Sequence, residues 1–369
     1  MAKSRLHELS EHGVAVWIDS LSREMLETGE LKRLIDEDAV VGVTSNPTIF
    51  QKAMAEGTWY DDRLAEAAKA TDDPRELFLA LAIDDIKNAC DLLKPAWTAS
   101  DGVDGFVSLE VDPTLAYDRD ATYEQAIRLH AEIERPNLHV KIPATEVGLS
   151  AIEDCIAAVK SINVTLIFSL ERYKAVVEAY LRGLERAVAA GKDVTHVRSV
   201  ASFFVSRVDT EADKRLEALG TTGLQGKLAI ANAKLAYQHY LQAFSGQRWE
   251  FLAGKGARPQ RCLWASTSTK NPAYRDVLYV EKLIGPDTVN TMPAETVTAF
   301  QDHGEVRDTL AYRPGEAQAL LEALARAGVD YDDVVATLEA EGVQKFADSF
   351  AELLDGIEAK RGELVPHGG

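Results

Sequence analysis

The chain has 369 residues, of which 46% are hydrophobic and 27% charged, and its formal net charge at pH 7 is -19. This length allows a large buried core and fits either roughly two to three domains or one α/β barrel. The acidic excess argues against nucleic acid and anionic membranes as partners, because both would repel such a surface. An anionic substrate would therefore need a locally basic site.

The cysteines and histidines give no sign of a disulfide framework or a metal site. Cys90, Cys155 and Cys262 are far apart, and the eight histidines show no paired ligand spacing. The N-terminal segment MAKSRLHELSEHGVAVWIDS has no continuous apolar stretch before a cleavage site, and no later segment is long enough to span a bilayer. We predict a cytoplasmic protein that has no membrane partner and no metal.

Short apolar, β-branched segments alternate along the chain with longer segments of helical periodicity. This alternation is typical of parallel βα units. The eight predicted strands lie at residues 14–19, 40–46, 105–111, 138–144, 163–169, 197–205, 261–267 and 288–292.

Eight such units are the number that closes a (β/α)8 TIM barrel. An open doubly wound sheet is the alternative, but no GxGxxG or GxxxxGKS/T motif follows any predicted strand. We therefore predict one α/β domain, a (β/α)8 barrel. Several additional helices are expected in residues 47–104, after the second strand, and further helices in about residues 313–364 should pack on the barrel.

Polar residues interrupt or follow most of the predicted strands, at the end where barrels carry their active sites. The candidates are Asp19, Asn46, Glu110, Lys141, Asn163, Thr165, Ser202, Arg207, Ser266, Ser268 and Lys270. Several of these positions also have ordinary structural explanations. A carboxylate such as Asp19 is a common helix N-cap, and asparagine before proline, as at Asn46, is common at a helix start.

Lys141 is the most unusual of these positions. In the segment NLHVKIPAT, strand alternation places it on the opposite face from Val140 and Ile142. Inside a barrel, desolvation favours the neutral amine, which is a nucleophile that can form a Schiff base with a carbonyl. Two structural alternatives remain: a rim lysine that reaches solvent, or an ion pair with Glu110 of the adjacent strand.

Six segments, in this order, resemble the transaldolase family and in particular its longer bacterial branch. They are GVTSNPTIF (42–50), LEVDP (109–113), VKIPAT (140–145), INVTLIFS (162–169), VASFFVSRVD (200–209) and ASTSTKNPAY (265–274), and the resemblance covers roughly residues 14–305. It implies a class I aldolase barrel without metal or organic cofactor. Such an enzyme passes a dihydroxyacetone unit from sedoheptulose 7-phosphate to glyceraldehyde 3-phosphate, giving erythrose 4-phosphate and fructose 6-phosphate, in the non-oxidative pentose phosphate pathway.

The resemblance also implies catalytic roles. Lys141 matches the Schiff-base position. Glu110 matches the general acid/base, which is expected to act through a water held by Thr165. Asp19 matches the carboxylate that takes the proton of the substrate C4 hydroxyl as the C3–C4 bond breaks.

Further positions are implied to bind the substrate. Asn46 matches a residue near the C1 hydroxyl, and Asn163 matches a nearby amide. Ser202 and Phe204 lie in the sixth strand motif, on the substrate side.

The phosphate is expected where Arg207 meets Ser266 or Ser268, together with Lys270. The shorter transaldolases place an arginine soon after an Ala-Ser pair, whereas this chain reads ASTSTKN. Lys270 would thus offer the phosphate a single ammonium charge rather than the paired donors of a planar guanidinium.

Two alternative functions compete with this one. A related aldolase that releases the three-carbon ketone would be helped by a tyrosine, but Phe203 and Phe204 offer no proton, which favours transfer. A scaffold protein that has lost catalysis is disfavoured because every expected acid, base and nucleophile is present. The expected partners are phosphorylated sugars, and the expected state is a monomer or a homodimer.

Overall fold

The computed structural model describes residues 4–55, 57–311 and 314–364. Eight parallel strands, each paired with its sequence neighbours, close into a barrel because β8 also pairs with β1. They are β1 (Val14–Ile18), β2 (Val40–Thr44), β3 (Phe106–Glu110), β4 (Leu138–Pro143), β5 (Ile162–Ile167), β6 (Ser199–Phe204), β7 (Arg261–Ala265) and β8 (Thr288–Met292). The predicted barrel and all of the predicted strands are confirmed.

Helices surround the barrel. In the described part of the chain they are α1 (Arg5–Glu11), α2 (Arg23–Glu27), α3 (Glu30–Glu37), α4 (Pro47–Ala55), α5 (Asp61–Ala67), α6 (Pro74–Ala99), α7 (Arg119–Ile133), α8 (Glu146–Ala157), α9 (Leu170–Ala189), α10 (Ser206–Ala218), α11 (Leu228–Ala243), α12 (Gly246–Ala253), α13 (Leu278–Lys282), α14 (Ala294–His303), α15 (Pro314–Arg326) and α16 (Tyr331–Leu364), with a 3₁₀ turn at Pro113–Leu115. Helices α4, α5 and α6 occupy the second connection, as predicted.

Polar residues at the strand ends start several of these helices. Thr145 Oγ1 accepts a hydrogen bond from the Gly148 amide at 2.9 Å and caps α8. Ser169 likewise accepts from the Arg172 amide at 2.9 Å and caps α9. Each cap satisfies a helix-terminal amide that has no partner within the helix, and it fixes where the strand-to-helix connection turns.

Aromatic rings fill the barrel interior on the amino-terminal side of the candidate residues. His139, two residues before Lys141, stacks on Phe106 with 4.0 Å between the ring centroids and on Trp17 at 5.9 Å. A Cβ atom at Gly42 would lie 2.4 Å from the Trp17 indole, so only glycine leaves room for this ring. The interior is therefore packed there, and access to Lys141 is from the carboxyl end of the strands.

The C-terminal helices pack on the barrel, as predicted. Helix α16 contacts α4, α6 and the end of β5. Thr48 of α4 donates a hydrogen bond to Ser349 of α16, with 2.9 Å between the hydroxyl oxygens. We propose that barrel and C-terminal helices form one domain, which their continuous hydrophobic core supports. Within the described residues, no helix is long and apolar enough to cross a membrane.

Candidate active site

Lys141 lies inside the barrel, between Glu110 and Asn163 in the strand register. Its side chain is only 5% exposed, and Nζ donates a hydrogen bond to the Ser45 carbonyl at 3.2 Å. Nζ also lies 3.3 Å from Glu110 Oε2. The alternative that Lys141 reaches solvent at the rim of the barrel is therefore wrong. The alternative contact with Glu110 is present.

Glu110 is a buried carboxyl group whose environment suits proton transfer. Burial raises its pKa to about 7, while the charge of Lys141 opposes this shift and that of Asp19 adds to it. Among the described residues, neither carboxylate oxygen has a hydrogen-bond partner, and the same holds for Thr165 Oγ1. The contact with Lys141 is thus a charge contact without hydrogen-bond geometry.

Asp19 follows β1 directly and lines the cavity above Lys141. Thr44 Oγ1 donates a hydrogen bond to Asp19 Oδ1 at 2.6 Å, and Thr291 Oγ1 lies 2.7 Å from the same Thr44 hydroxyl. Burial raises the pKa of Asp19, whereas Lys141, Thr44 and Arg207 favour its charged form. This carboxylate is held in one orientation and is more basic than an exposed aspartate.

Two residues with left-handed backbone conformations flank the site. Leu166, next to Thr165, has a φ of 58°, and the pairing of β5 with β6 is irregular at this point. Ser266, at the end of β7, has a φ of 56°. Such conformations are unfavourable for residues other than glycine, and they cluster where a fold directs side chains into a site.

The predicted substrate-binding amides differ in their surroundings. Asn46 Oδ1 accepts a hydrogen bond from the Ile49 amide at 3.0 Å at the start of α4, and the residue also lines the cavity. Asn163 does not line it. Its amide nitrogen donates to Ser108 at 3.0 Å and its oxygen accepts from Ser202 at 2.7 Å, so Asn163 reaches the cavity through Ser202.

A cavity of about 300 Å³ opens at the carboxyl end of the barrel. Predicted site residues that line it are Asp19, Asn46, Lys141, Thr165, Ser202, Phe204, Arg207, Ser266, Ser268 and Lys270. The two other predicted residues, Glu110 and Asn163, do not line the cavity. Most of the predicted site residues therefore line one cavity at the carboxyl end of the barrel.

Arg207 and Lys270 are two basic residues that line the cavity. The Arg207 guanidinium lies 5.2 Å from the centre of the Phe204 ring, and Lys270 Nζ donates to Ser268 Oγ at 2.8 Å. Ser266 Oγ lies 2.8 Å from Ser206 Oγ. Both serine alternatives for phosphate binding thus line the same cavity.

Three of the lining residues that sequence reasoning missed are basic or aromatic and lie on helices. They are Lys52 on α4 and the adjacent pair Lys345 and Phe346 on α16. A search of strand ends could not find them, because they lie on helices that tertiary packing brings over the mouth. Their only sequence signal was basic or aromatic character in otherwise ordinary amphipathic helices.

A buried amine beside two carboxyl groups at the mouth of a parallel barrel indicates the class of lysine-dependent aldolases. The family model described as "Transaldolase/Fructose-6-phosphate aldolase" matches residues 16–357. The chain belongs to this family.

Curated relatives named "Transaldolase" cover nearly the whole chain. The one from Acidothermus cellulolyticus is 54% identical over 351 residues, covering 94% of this chain and 94% of its own length. The one from Mycolicibacterium paratuberculosis is 52% identical over 362 residues, with 97% of each chain covered. The one from Parafrankia sp. is 54% identical over 364 residues, covering 98% of this chain and 99% of its own.

Proposed function

We propose that the chain is a transaldolase that moves a dihydroxyacetone unit from sedoheptulose 7-phosphate to glyceraldehyde 3-phosphate, with erythrose 4-phosphate and fructose 6-phosphate as products. The observation that carries this proposal is the buried Lys141 amine, 3.3 Å from Glu110, at the base of a cavity that Asp19 also lines. Full-length similarity to proteins named transaldolase supports the same reaction.

The first chemical step is attack of the Lys141 amine on the C2 ketone. Glu110, with its pKa near 7, is suited to take a proton from the amine and to return one to the carbinolamine hydroxyl. The hydroxyl then leaves as water, and a protonated Schiff base forms. No metal or organic cofactor is needed, because this iminium serves as the electron sink.

Carbon–carbon cleavage follows. Asp19 takes the proton of the C4 hydroxyl, the C3–C4 bond breaks, and its electron pair moves into the iminium to give an enamine on Lys141. The first aldose phosphate then leaves. The enamine attacks the aldehyde of the acceptor, and Asp19 returns the proton to the new hydroxyl. Water then adds to the resulting Schiff base, the bond from C2 to the Lys141 nitrogen breaks, and the product ketose and the free amine are released. The raised pKa of Asp19 supports both directions of this transfer.

A water between Glu110 and Thr165 is part of the proposal. Buried polar atoms are normally hydrogen-bonded, and the Glu110 oxygens and Thr165 Oγ1 lack partners among the described residues. A water that bridges them would satisfy these atoms and carry protons between Glu110 and the substrate.

The remaining cavity residues would hold the sugar and its phosphate. We assign the sugar hydroxyls to Asn46 and Ser202, with Asn163 orienting Ser202 or meeting the substrate directly. The phosphate is assigned to Arg207 and Lys270, assisted by one of the two serines, Ser266 or Ser268, because a phosphate accepts several charge-assisted hydrogen bonds.

Transfer is favoured over release of dihydroxyacetone. Release requires protonation of the enamine carbon, and none of the described residues that line the cavity is a tyrosine. The apolar Phe204 and Phe346 are there instead. The enamine would therefore persist until an acceptor aldehyde binds.

An activity assay tests this choice. With sedoheptulose 7-phosphate and glyceraldehyde 3-phosphate, we expect erythrose 4-phosphate and fructose 6-phosphate in equal amounts. Free dihydroxyacetone in place of fructose 6-phosphate would assign the lyase reaction, and no product of either kind would refute both.

We also propose a cytoplasmic location and a monomeric or homodimeric state. Cys90, Cys155 and Cys262 are buried and form no disulfide bond, which supports a reducing compartment. Sedimentation of the purified protein tests the state, and a larger assembly would contradict it.

A further inference from the structure

Helix α16 brings the adjacent residues Lys345 and Phe346 to the same cavity as Lys141. The Lys141 amine lies 5.7 Å from the centre of the Phe346 ring. Lys345, the neighbouring residue, is exposed and lines the cavity together with Arg207 and Lys270. The C-terminal helix therefore contributes both an apolar wall and a cation to the mouth.

Close packing holds this part of α16 in place. A Cβ atom at Gly342, one turn before Phe346, would lie 3.2 Å from the Phe168 ring and 3.3 Å from Leu166, so the glycine allows the helix to approach the end of β5. Further along, the Phe350 and Phe78 rings meet edge to face at 5.5 Å. Lys345 is thus presented by a fixed element rather than by a loop.

Four cations around the cavity form no close ion pair with a carboxylate of the described residues. Lys52, Arg207, Lys270 and Lys345 all line it, and within the described ranges none has a carboxylate oxygen within 4.0 Å. Repulsion from Arg207, followed by burial and the charges of Lys270 and Lys52, lowers the pKa of Lys345. The chain has 59 acidic residues, so this concentration of positive charge at one cavity contrasts with the rest of the molecule.

Carboxylates near this group do not cancel it. Asp19 and Glu295 also line the cavity, and Asp19 and Glu341 lie close enough to act on the charge of Arg207. Glu341 is one turn before Lys345 on α16, yet the structure records no ion pair between them. Four cations facing one open cavity attract a multiply charged anion, and binding that anion would relieve their mutual repulsion.

We propose that Lys345 is a substrate-binding residue that contacts the phosphate of the sugar together with Arg207 and Lys270. The inference deepens the proposed function, on which it rests. Lys270 supplies only a point charge where a planar guanidinium would offer paired donors. Lys345 supplies a second ammonium group from the C-terminal helix, so that helix takes part in selecting phosphorylated over neutral sugars.

The test compares Lys345→Met with Lys345→Arg and with the control Lys360→Met. Lys360 lies on the same helix but pairs with Asp61 at 2.6 Å, outside the cavity. Sedoheptulose 7-phosphate is held at saturation, the acceptor is glyceraldehyde 3-phosphate or D-glyceraldehyde, and erythrose 4-phosphate is measured for both. Thermal unfolding checks that each variant is folded.

For Lys345→Met we expect KM for glyceraldehyde 3-phosphate to rise about tenfold, as for the loss of one charge-assisted hydrogen bond at a solvent-exposed site. KM for D-glyceraldehyde should stay unchanged. Lys345→Arg should restore most of the affinity, and Lys360→Met should match the wild type. An unchanged KM for glyceraldehyde 3-phosphate in Lys345→Met, or an equal rise for D-glyceraldehyde, overturns the proposal.

A second measurement separates this inference from the proposed function. If the wild-type enzyme transfers nothing, the proposed function fails, and calorimetry with inorganic phosphate then decides the role of Lys345. We expect binding of phosphate to be about tenfold weaker in Lys345→Met than in Lys360→Met. Equal binding by these two variants overturns the role of Lys345.

Discussion

The Lys141 amine and the Glu110 carboxylate lie 3.3 Å apart on neighbouring strands, with side chains 5% and 2% exposed. A buried ion pair of this kind is weak evidence of stabilisation, because desolvating two charges offsets most of their attraction. The contact is better explained by catalysis, in which Glu110 takes a proton from the Lys141 amine before the amine attacks a ketone. This explanation makes each of the following outcomes measurable.

Lys141→Arg should abolish turnover although the positive charge is kept. A guanidinium does not lose its proton near neutral pH, so it cannot act as a nucleophile. The variant should fall below about a thousandth of wild-type kcat in the transfer assay, as is usual when a covalent nucleophile is removed. Activity within a few-fold of the wild type would exclude Lys141 as the attacking residue.

Activity should depend on the ionisation of Glu110. Its pKa is raised to about 7, so below this pH the carboxyl group carries a proton and cannot accept one from Lys141. We expect kcat/KM to rise with pH through an inflection near 7 and this inflection to vanish in Glu110→Gln. A profile of the variant that is lower but has the same shape would assign the inflection to another group.

The same raised pKa affects stability. Because folding raises the pKa of Glu110 above its ordinary value of 4.5, the folded state binds the proton more tightly. The contribution of this group to stability is complete below about pH 4.5 and is lost as the pH rises through about 7. Glu110→Gln should therefore flatten the dependence of Tm on pH across this window, and an unchanged dependence would contradict the burial effect.

Thr165→Val should lower catalysis without lowering stability. Among the described residues Thr165 Oγ1 has no hydrogen-bond partner, so replacing the hydroxyl with a methyl group removes no protein contact. We expect kcat to fall about tenfold to a hundredfold through loss of the proposed water, and Tm to stay equal or rise. Wild-type kcat in a folded variant would remove Thr165 from the mechanism.

Asp19→Asn should separate Schiff-base formation from bond cleavage. The variant keeps the Lys141 amine but loses the base for the C4 hydroxyl, so transfer should slow about a hundredfold or more. Reduction of the intermediate with fructose 6-phosphate should still label the protein. Loss of labelling in a folded Asp19→Asn enzyme would show that Asp19 acts earlier than proposed.

Arg207→Ala should mainly weaken binding of phosphorylated substrates. Arg207 is half-buried against Phe204 and faces the cavity, and a guanidinium can bind phosphate through two parallel hydrogen bonds. KM for both phosphorylated partners should rise by roughly ten- to a hundredfold, with a smaller change in kcat. Unchanged KM values would move the phosphate site away from Arg207.

The barrel could be predicted from the sequence because its strands are short apolar segments bounded by polar ends, which is a local property. The same rule selected ten of the residues that line the cavity, since residues such as Asp19 and Lys141 are polar positions at strand ends. It could not find Lys345 or Phe346, because only long-range packing of α16 against α4 and β5 brings them to Lys141.

The contacts and backbone conformations of individual residues also could not be predicted from the sequence. Strand alternation placed Lys141 on the opposite face from Val140 and Ile142, but it could not distinguish a buried amine in contact with Glu110 from a lysine at the rim. The left-handed conformations of Leu166 and Ser266 could not be predicted, because neither residue favours a positive φ. Such conformations arise only when the surrounding structure imposes them.

Borohydride trapping tests the central claim most directly. The enzyme is incubated with fructose 6-phosphate, reduced with borohydride, digested and mapped by mass spectrometry. We expect one covalent dihydroxyacetone-derived adduct, on the peptide that contains Lys141, and none in Lys141→Arg. An active enzyme that gives no adduct, or an adduct on a different lysine, would contradict the Schiff-base mechanism proposed for this cavity.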